Sequence, residues 1–209
     1  MATKKTSSVS QVERVEMKNP LSLHSYGRTR YLGFIATFTA LNVIFRIGLE
    51  AGPPNMNPVP FLIIISGIAI GPVGGFIVGF FSMVIGDLFL GAGVWTIPDA
   101  LCMAIPCGLV AGLLWHHKVK LQAWRLAIVG FLLVAIFDIS SSLIDASMFH
   151  YSWWLSMLGL YFPFGIAGFS PWPFGLVDEA TTAILLGLLG PKLAVRIRRL
   201  LCYGLHVVK

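Results

Sequence analysis

The sequence predicts an all-α, polytopic membrane protein: a six-transmembrane-helix bundle with its N and C termini in the cytoplasm. Three observations predict it. Of 209 residues, 56% are hydrophobic and 11% charged, whereas soluble domains carry roughly a quarter charged residues. Six apolar runs alternate with Pro, Gly or polar breaks. Lys and Arg gather on one side of the resulting serpentine.

Residues 1–30 are polar and basic, without an apolar run near the start. They read as a cytoplasmic tail rather than a cleavable signal. The first apolar run covers Tyr31 to Leu49, and AGPPNMNPVP (Ala51 to Pro60) ends it. Such Pro and Gly density stops a helix. The second run, Val59 to Ile70, is short: at 1.5 Å per residue it reaches about 18 Å, against about 30 Å of hydrocarbon. GPVGG (Gly71 to Gly75) turns into a third run ending near Leu90, and GAGVWTIP (Gly91 to Pro98) breaks the chain again. The fourth run reaches Trp115 and meets HHKVK (His116 to Lys120). The fifth spans Trp124 to Ala146, and an aromatic stretch broken by Pro and Gly follows (Ser147 to Pro173). The sixth, Phe174 to Gly190, precedes a basic tail. The expected division is a tail over 1–30, a six-helix domain over 31–195 and a cytoplasmic tail over 196–209.

Segments crossing hydrocarbon must satisfy their backbone groups internally, as helices do. With six crossings, every Lys and Arg except Arg46 falls on one side. The positive-inside rule puts that side, and both termini, in the cytoplasm. The net charge of +6 is then a topology signal, and nucleic acid is not an expected partner. Glu13 and Glu16 lie in the first tail; the other seven acids map to the outer halves of segments or to outer boundaries. Cys102, Cys107 and Cys202 form neither a disulfide framework nor metal-ligand spacing, so no metal and no cofactor is expected. His116 and His117 do not share a helical face and read as solvated.

Two polar stripes carry the candidate chemistry. Asp138, Ser142 and Asp145 are spaced i, i+4, i+7 in the fifth run. Asp178, Thr181 and Thr182 are spaced i, i+3, i+4 in the sixth, beside Glu179. A buried carboxylate is costly unless paired, hydrated or protonated, so two stripes at one depth point to a shared aqueous cavity open to the outside. Asp99 joins them from the fourth run. Trp95 and Trp172 are expected as apolar walls, and the connector around Asn55 and Asn57 as a lid. Arg46 has three expected dispositions: pairing with Glu50 at i+4, snorkelling to the surface, or facing a carboxylate across the cavity. Small residues at i, i+4 let helices approach: Ala36 with Ala40, Gly75 with Gly79, and Gly108 with Gly112.

Over about residues 31 to 195 the chain resembles the substrate-binding S components of energy-coupling factor (ECF) transporters. The resemblance rests on AxxxA in the first run (Ala36 to Ala40), GPVGGFIVGFFSMVIGDLF (Gly71 to Phe89) and the connector Glu50 to Val59. It implies capture of a vitamin or similar micronutrient from outside, at the plasma membrane of a prokaryote. It also implies partnership with a transmembrane coupling subunit and two ATPases. Ala36 and Ala40 would dock to the coupling subunit, with Gly75 and Gly79 a second small-residue surface for it. The connector would gate the substrate. The chain has no phosphate-binding glycine loop followed by Lys-Ser/Thr, so the ATPase lies elsewhere.

Two other classes fit parts of the sequence. A stand-alone secondary transporter or channel would use the same polar stripes, but such folds often carry inverted repeats and none is visible. An intramembrane aspartyl protease would use Asp87 and Asp138, but the tetrad Val84-Ile85-Gly86-Asp87 lacks the required Gly-x-Gly-Asp. Seven outer acids against one Arg favour a cationic or amine-bearing heterocycle as substrate.

Overall fold

The computed structural model describes residues 28–49, 57–118, 120–162 and 174–203, and no strand occurs among them. The helices are α1 (Arg28–Leu49), α2 (Val59–Ile70), α3 (Pro72–Leu90), α4 (Thr96–Trp115), α5 (Ala123–Met148), α6 (Trp153–Tyr161), α7 (Phe174–Leu188) and α8 (Gly190–Tyr203).

The shortest of the apolar runs is the core. All 12 residues of α2 are buried. It is apolar on every face apart from Ser66, as a helix surrounded by others must be. α1, α3, α4 and α8 pack around it. Gly71 makes the turn from α2 to α3 at φ 116°, a conformation only Gly adopts freely, and Pro72 then starts α3 with a preset φ. Glycines bring the three central helices into backbone contact. A Cβ on Gly75 would stand 2.8 Å from the Gly67 nitrogen, and one on Gly112 2.7 Å from the Pro72 nitrogen.

α4 begins at Thr96, before Pro98, because a proline in the first turn removes no intrahelical bond. Its middle, Ala104–Val110, is a π-helical segment. Pro106 lies inside it and has no N–H to give to an α-helical ladder, so the wider turn takes up the mismatch. α5 packs along α7, where Leu186 fills the space left by Gly130.

α8 bends 63° from α7 and returns to the core through Ala194, Ile197 and Leu201, all buried. The expected boundary at 195/196 therefore falls inside a packed helix. Arg198 donates to the carbonyls of Ile68 (2.8 and 3.2 Å), Trp115 (2.7 Å) and Lys118 (2.7 Å). Helix C-termini leave carbonyls without intrahelical partners, and this one guanidinium serves the ends of α2 and α4 together. His116 adds an Nδ1 contact to the Ile68 carbonyl at 3.2 Å. It is half-buried rather than solvated, because it follows directly on the buried Trp115 and stands over Gly71. Burial lowers its pKa from the ordinary imidazole value. His117 is exposed.

α1, α3, α4 and α5 are long and apolar enough to cross a membrane, and α7 with α8 makes a fifth crossing if counted as one broken span. α2 is too short by that measure. Among the described residues the helices therefore supply four or five candidate spans where six crossings were expected. Large exposed apolar residues such as Ile44, Phe81, Leu113, Leu132 and Ile184 form the lipid-facing surface.

Candidate functional site at the acidic end of the bundle

Contacts between helices fix which residues share a depth. Gly67 lies against Gly75, and Ile63 against Gly79, so one turn on Val59 comes level with Met83. Tyr31 lies beside Gly74 and Arg46 beside Gly86, which brings Asn42 level with Ser82 and Met83. Ala104 faces Gly79, so Ala100 joins the same level. On the far side, the Gly130–Leu186 contact puts Asp138 opposite Asp178. The Ser141 hydroxyl donates to Asp99 Oδ1 at 2.7 Å, which sets Asp138 beside the turn after Asp99. Asn42, Val59, Met83, Ala100, Asp138 and Asp178 thus lie within about one helical turn of depth, about 5 Å. α2 stops at this level, whereas α1 and α3 each continue for seven residues, about 10 Å.

Above that level stands an ion pair. Gly86 has no side chain, so the stem of Arg46 crosses α3 there and its Nη2 reaches Asp87 Oδ1 at 2.5 Å. Its Nη1 contacts the Met83 sulfur. Of the three expected dispositions, Arg46 takes the cross-helix one. Its pairing removes Asp87 from the two-carboxylate arrangement a protease would need. Glu50 lies outside the described residues.

Asp138, Asp178 and Glu179 are buried and within electrostatic reach of one another. The Tyr161 hydroxyl donates to Glu179 Oε1 at 2.9 Å, tying α6 to α7. Asp145 is half-buried and electrostatically coupled to Asp99. The structure therefore brings Asp99, Asp138, Asp145, Asp178 and Glu179 to one end of the bundle. Trp95 lies at that end, half-buried, its ring 5.8 Å from that of Phe149 and folded over Gly93. Asn57 caps α2, its Oδ1 accepting from the Val59 N–H at 3.0 Å. Asn55 and Trp172, expected as lid and wall, lie outside the described residues.

The small-residue motifs separate. Gly75 and Gly79 are buried against α2 and α4, which corrects their expected place on a docking surface; their size serves close packing inside the bundle. Ala36 and Ala40 are exposed on α1, and Gly33 on the same helix has open space before it.

Among the described residues, eight buried side-chain atoms find no hydrogen-bond partner: Thr39 Oγ1, both amide atoms of Asn42, Asp87 Oδ2, Asp138 Oδ2, Asp145 Oδ1, Asp178 Oδ1 and Thr182 Oγ1. A buried polar atom left unmet costs roughly 1–3 kcal/mol, so these atoms are candidates for contacts to water or to a ligand. Thr39 and Asn42 were not singled out in the sequence. Their signal was present, because Thr39, Asn42 and Arg46 are spaced i, i+3, i+7 on one face of an apolar helix. Among the described residues no cluster of His, Cys, Asp and Glu is placed to hold a metal ion.

A family model described as ECF-type riboflavin transporter, S component, matches residues 28–195. No curated protein and no solved structure matches the chain. The chain belongs to the ECF-type riboflavin transporter S-component family, and as such is a substrate-binding subunit for vitamin uptake and not an enzyme.

Proposed function

We propose that this chain captures riboflavin from outside a prokaryotic cell and holds it at the acidic end of the bundle. Uptake is then driven by a coupling subunit and two ATPases. The observation that carries the reading is the set of orphaned polar atoms gathered at that end. The family description supplies the vitamin.

Riboflavin joins a flat three-ring heterocycle to a ribityl chain bearing hydroxyls. Carboxylates accept hydrogen bonds from hydroxyls, so Asp138, Asp178 and Glu179 suit the ribityl chain, with Asp99 and Asp145 at the rim. Trp95, and Trp172 beyond the described residues, suit the ring face. The connector carrying Asn55 and Asn57 serves as lid. The excess of acids that suggested a cationic heterocycle is matched equally by a polyol, which needs acceptors rather than a counter-charge. Arg46 shapes the site through Asp87.

The termini are cytoplasmic and α2 completes a sixth, shortened crossing. The charge asymmetry of the loops supports this. The exposed Ala36/Ala40 face of α1 meets the coupling subunit, its small side chains permitting close helix approach.

A ligand panel tests the substrate. Riboflavin should raise the unfolding temperature of the detergent-purified chain, and thiamine should not. Stabilisation by thiamine alone would return the cationic ligand in place of the flavin.

A further inference from the structure

α2 begins at Val59, level with Asn42 and Met83. Helix N-termini usually offer free N–H groups to a ligand, but here Pro58 and Pro60 have none and the Val59 N–H is taken by Asn57. What the backbone withholds, a neighbouring side chain supplies. Asn42 stands level with Val59, on the face of α1 that packs against α2 and α3. It is 0% exposed, and neither its Nδ2 nor its Oδ1 has a partner among the described residues. A carboxamide so placed presents a donor and an acceptor side by side. Of the residues at its level, Val59 and Met83 are apolar, and the Ser82 hydroxyl already donates to the Val78 carbonyl at 2.5 Å.

We propose that Asn42 is the specificity-determining residue for the heterocyclic end of the ligand. Its carboxamide pairs with an imide-type edge, in which a ring N–H lies next to a carbonyl. The inference rests on the flavin reading, since the flavin pyrimidine ring carries such an edge at N3–H and C4=O. Nδ2–H donates to the carbonyl, and Oδ1 accepts from the ring N–H. The ribityl end then points across the bundle toward Asp138 and Asp178, at the same depth. The positive end of the α2 dipole, beneath, favours the electron-rich carbonyl. A site built to hydrogen-bond a polar edge rejects an analogue lacking it far more strongly than an apolar wall does, because its own buried groups are left unpaired.

The test titrates the full chain in detergent with riboflavin and with N3-methylriboflavin, following flavin fluorescence. Wild type should bind the methyl analogue at least about tenfold more weakly, the loss expected for one buried hydrogen bond. Asn42→Leu should weaken riboflavin by roughly 10- to 100-fold and bind the two flavins almost equally. A wild-type chain that binds both flavins equally overturns the assignment, whether or not the variant folds. So does an Asn42→Leu chain that keeps the discrimination. A wild-type chain with no affinity for riboflavin would overturn the flavin reading itself, and the assignment with it.

Discussion

At the acidic end Arg46 and Asp87 hold each other across two helices. Asp87 is 3% exposed, and its bonded partner is Arg46. Arg46→Met should destabilise the chain by about 3 kcal/mol, because it leaves a buried carboxylate alone. Adding Asp87→Asn should recover much of that loss, since the remaining group is neutral. Thermal unfolding of the two variants in detergent checks it; a double variant no better than the single one would contradict the pairing. At the opposite end, burial lowers the pKa of His116. The unfolded chain therefore takes up the proton first as pH falls. Stability is full above the ordinary imidazole value, about 6.5, and is lost as pH drops below it. His116→Gln should lose less stability than wild type between pH 7.5 and 5.5, and equal losses would remove the imidazole as a cause. The sequence showed most of these groups but few of their relationships. Arg46 and Asp87 lie 41 positions apart, and only Gly86, by leaving room for the Arg46 stem, makes them neighbours. Thr39, Asn42 and Arg46 share one face of α1, but that spacing does not say which groups of α2 and α3 the face meets.

At the scale of elements, apolar runs and their breaks were legible because both are local. Gly71-Pro72 ends one helix and starts the next, and the shortness of α2 can be counted from Val59 to Ile70. The π segment of α4 was not legible: Pro106 announces a disturbance, but neighbouring helices decide its form. α8 was misread as a tail because Arg196, Arg198 and Arg199 look like a solvated charge run. Ala194, Ile197 and Leu201, at i, i+3, i+7, were the helical signal beneath it. The central helices depend on absent side chains. Gly75→Leu should abolish folding, and Gly75→Ala should cost about 2 kcal/mol, a usual figure for overpacking. Yield and unfolding temperature measure both, and a tolerated leucine would contradict the close approach of α2 and α3.

For the whole molecule, the proposed function separates capture from coupling. Polar groups without partners collect at one end of the bundle, while the exposed Ala36/Ala40 face lies on the side of a single helix. Ala36→Leu with Ala40→Leu should leave ligand affinity unchanged and weaken co-purification with the coupling subunit by at least about tenfold, since bulk at a small-xxx-small face keeps helices apart. A double variant that still assembles would move the docking surface elsewhere.

Whether the acidic end holds a flavin is read most directly by native mass spectrometry of the full chain purified after expression in riboflavin-rich medium. The wild type should carry one molecule of riboflavin mass, and Asp138→Asn or Asp178→Asn should reduce or abolish its retention. A wild-type chain that arrives empty and gains no mass from added riboflavin, or variants that retain the flavin undiminished, would contradict the account.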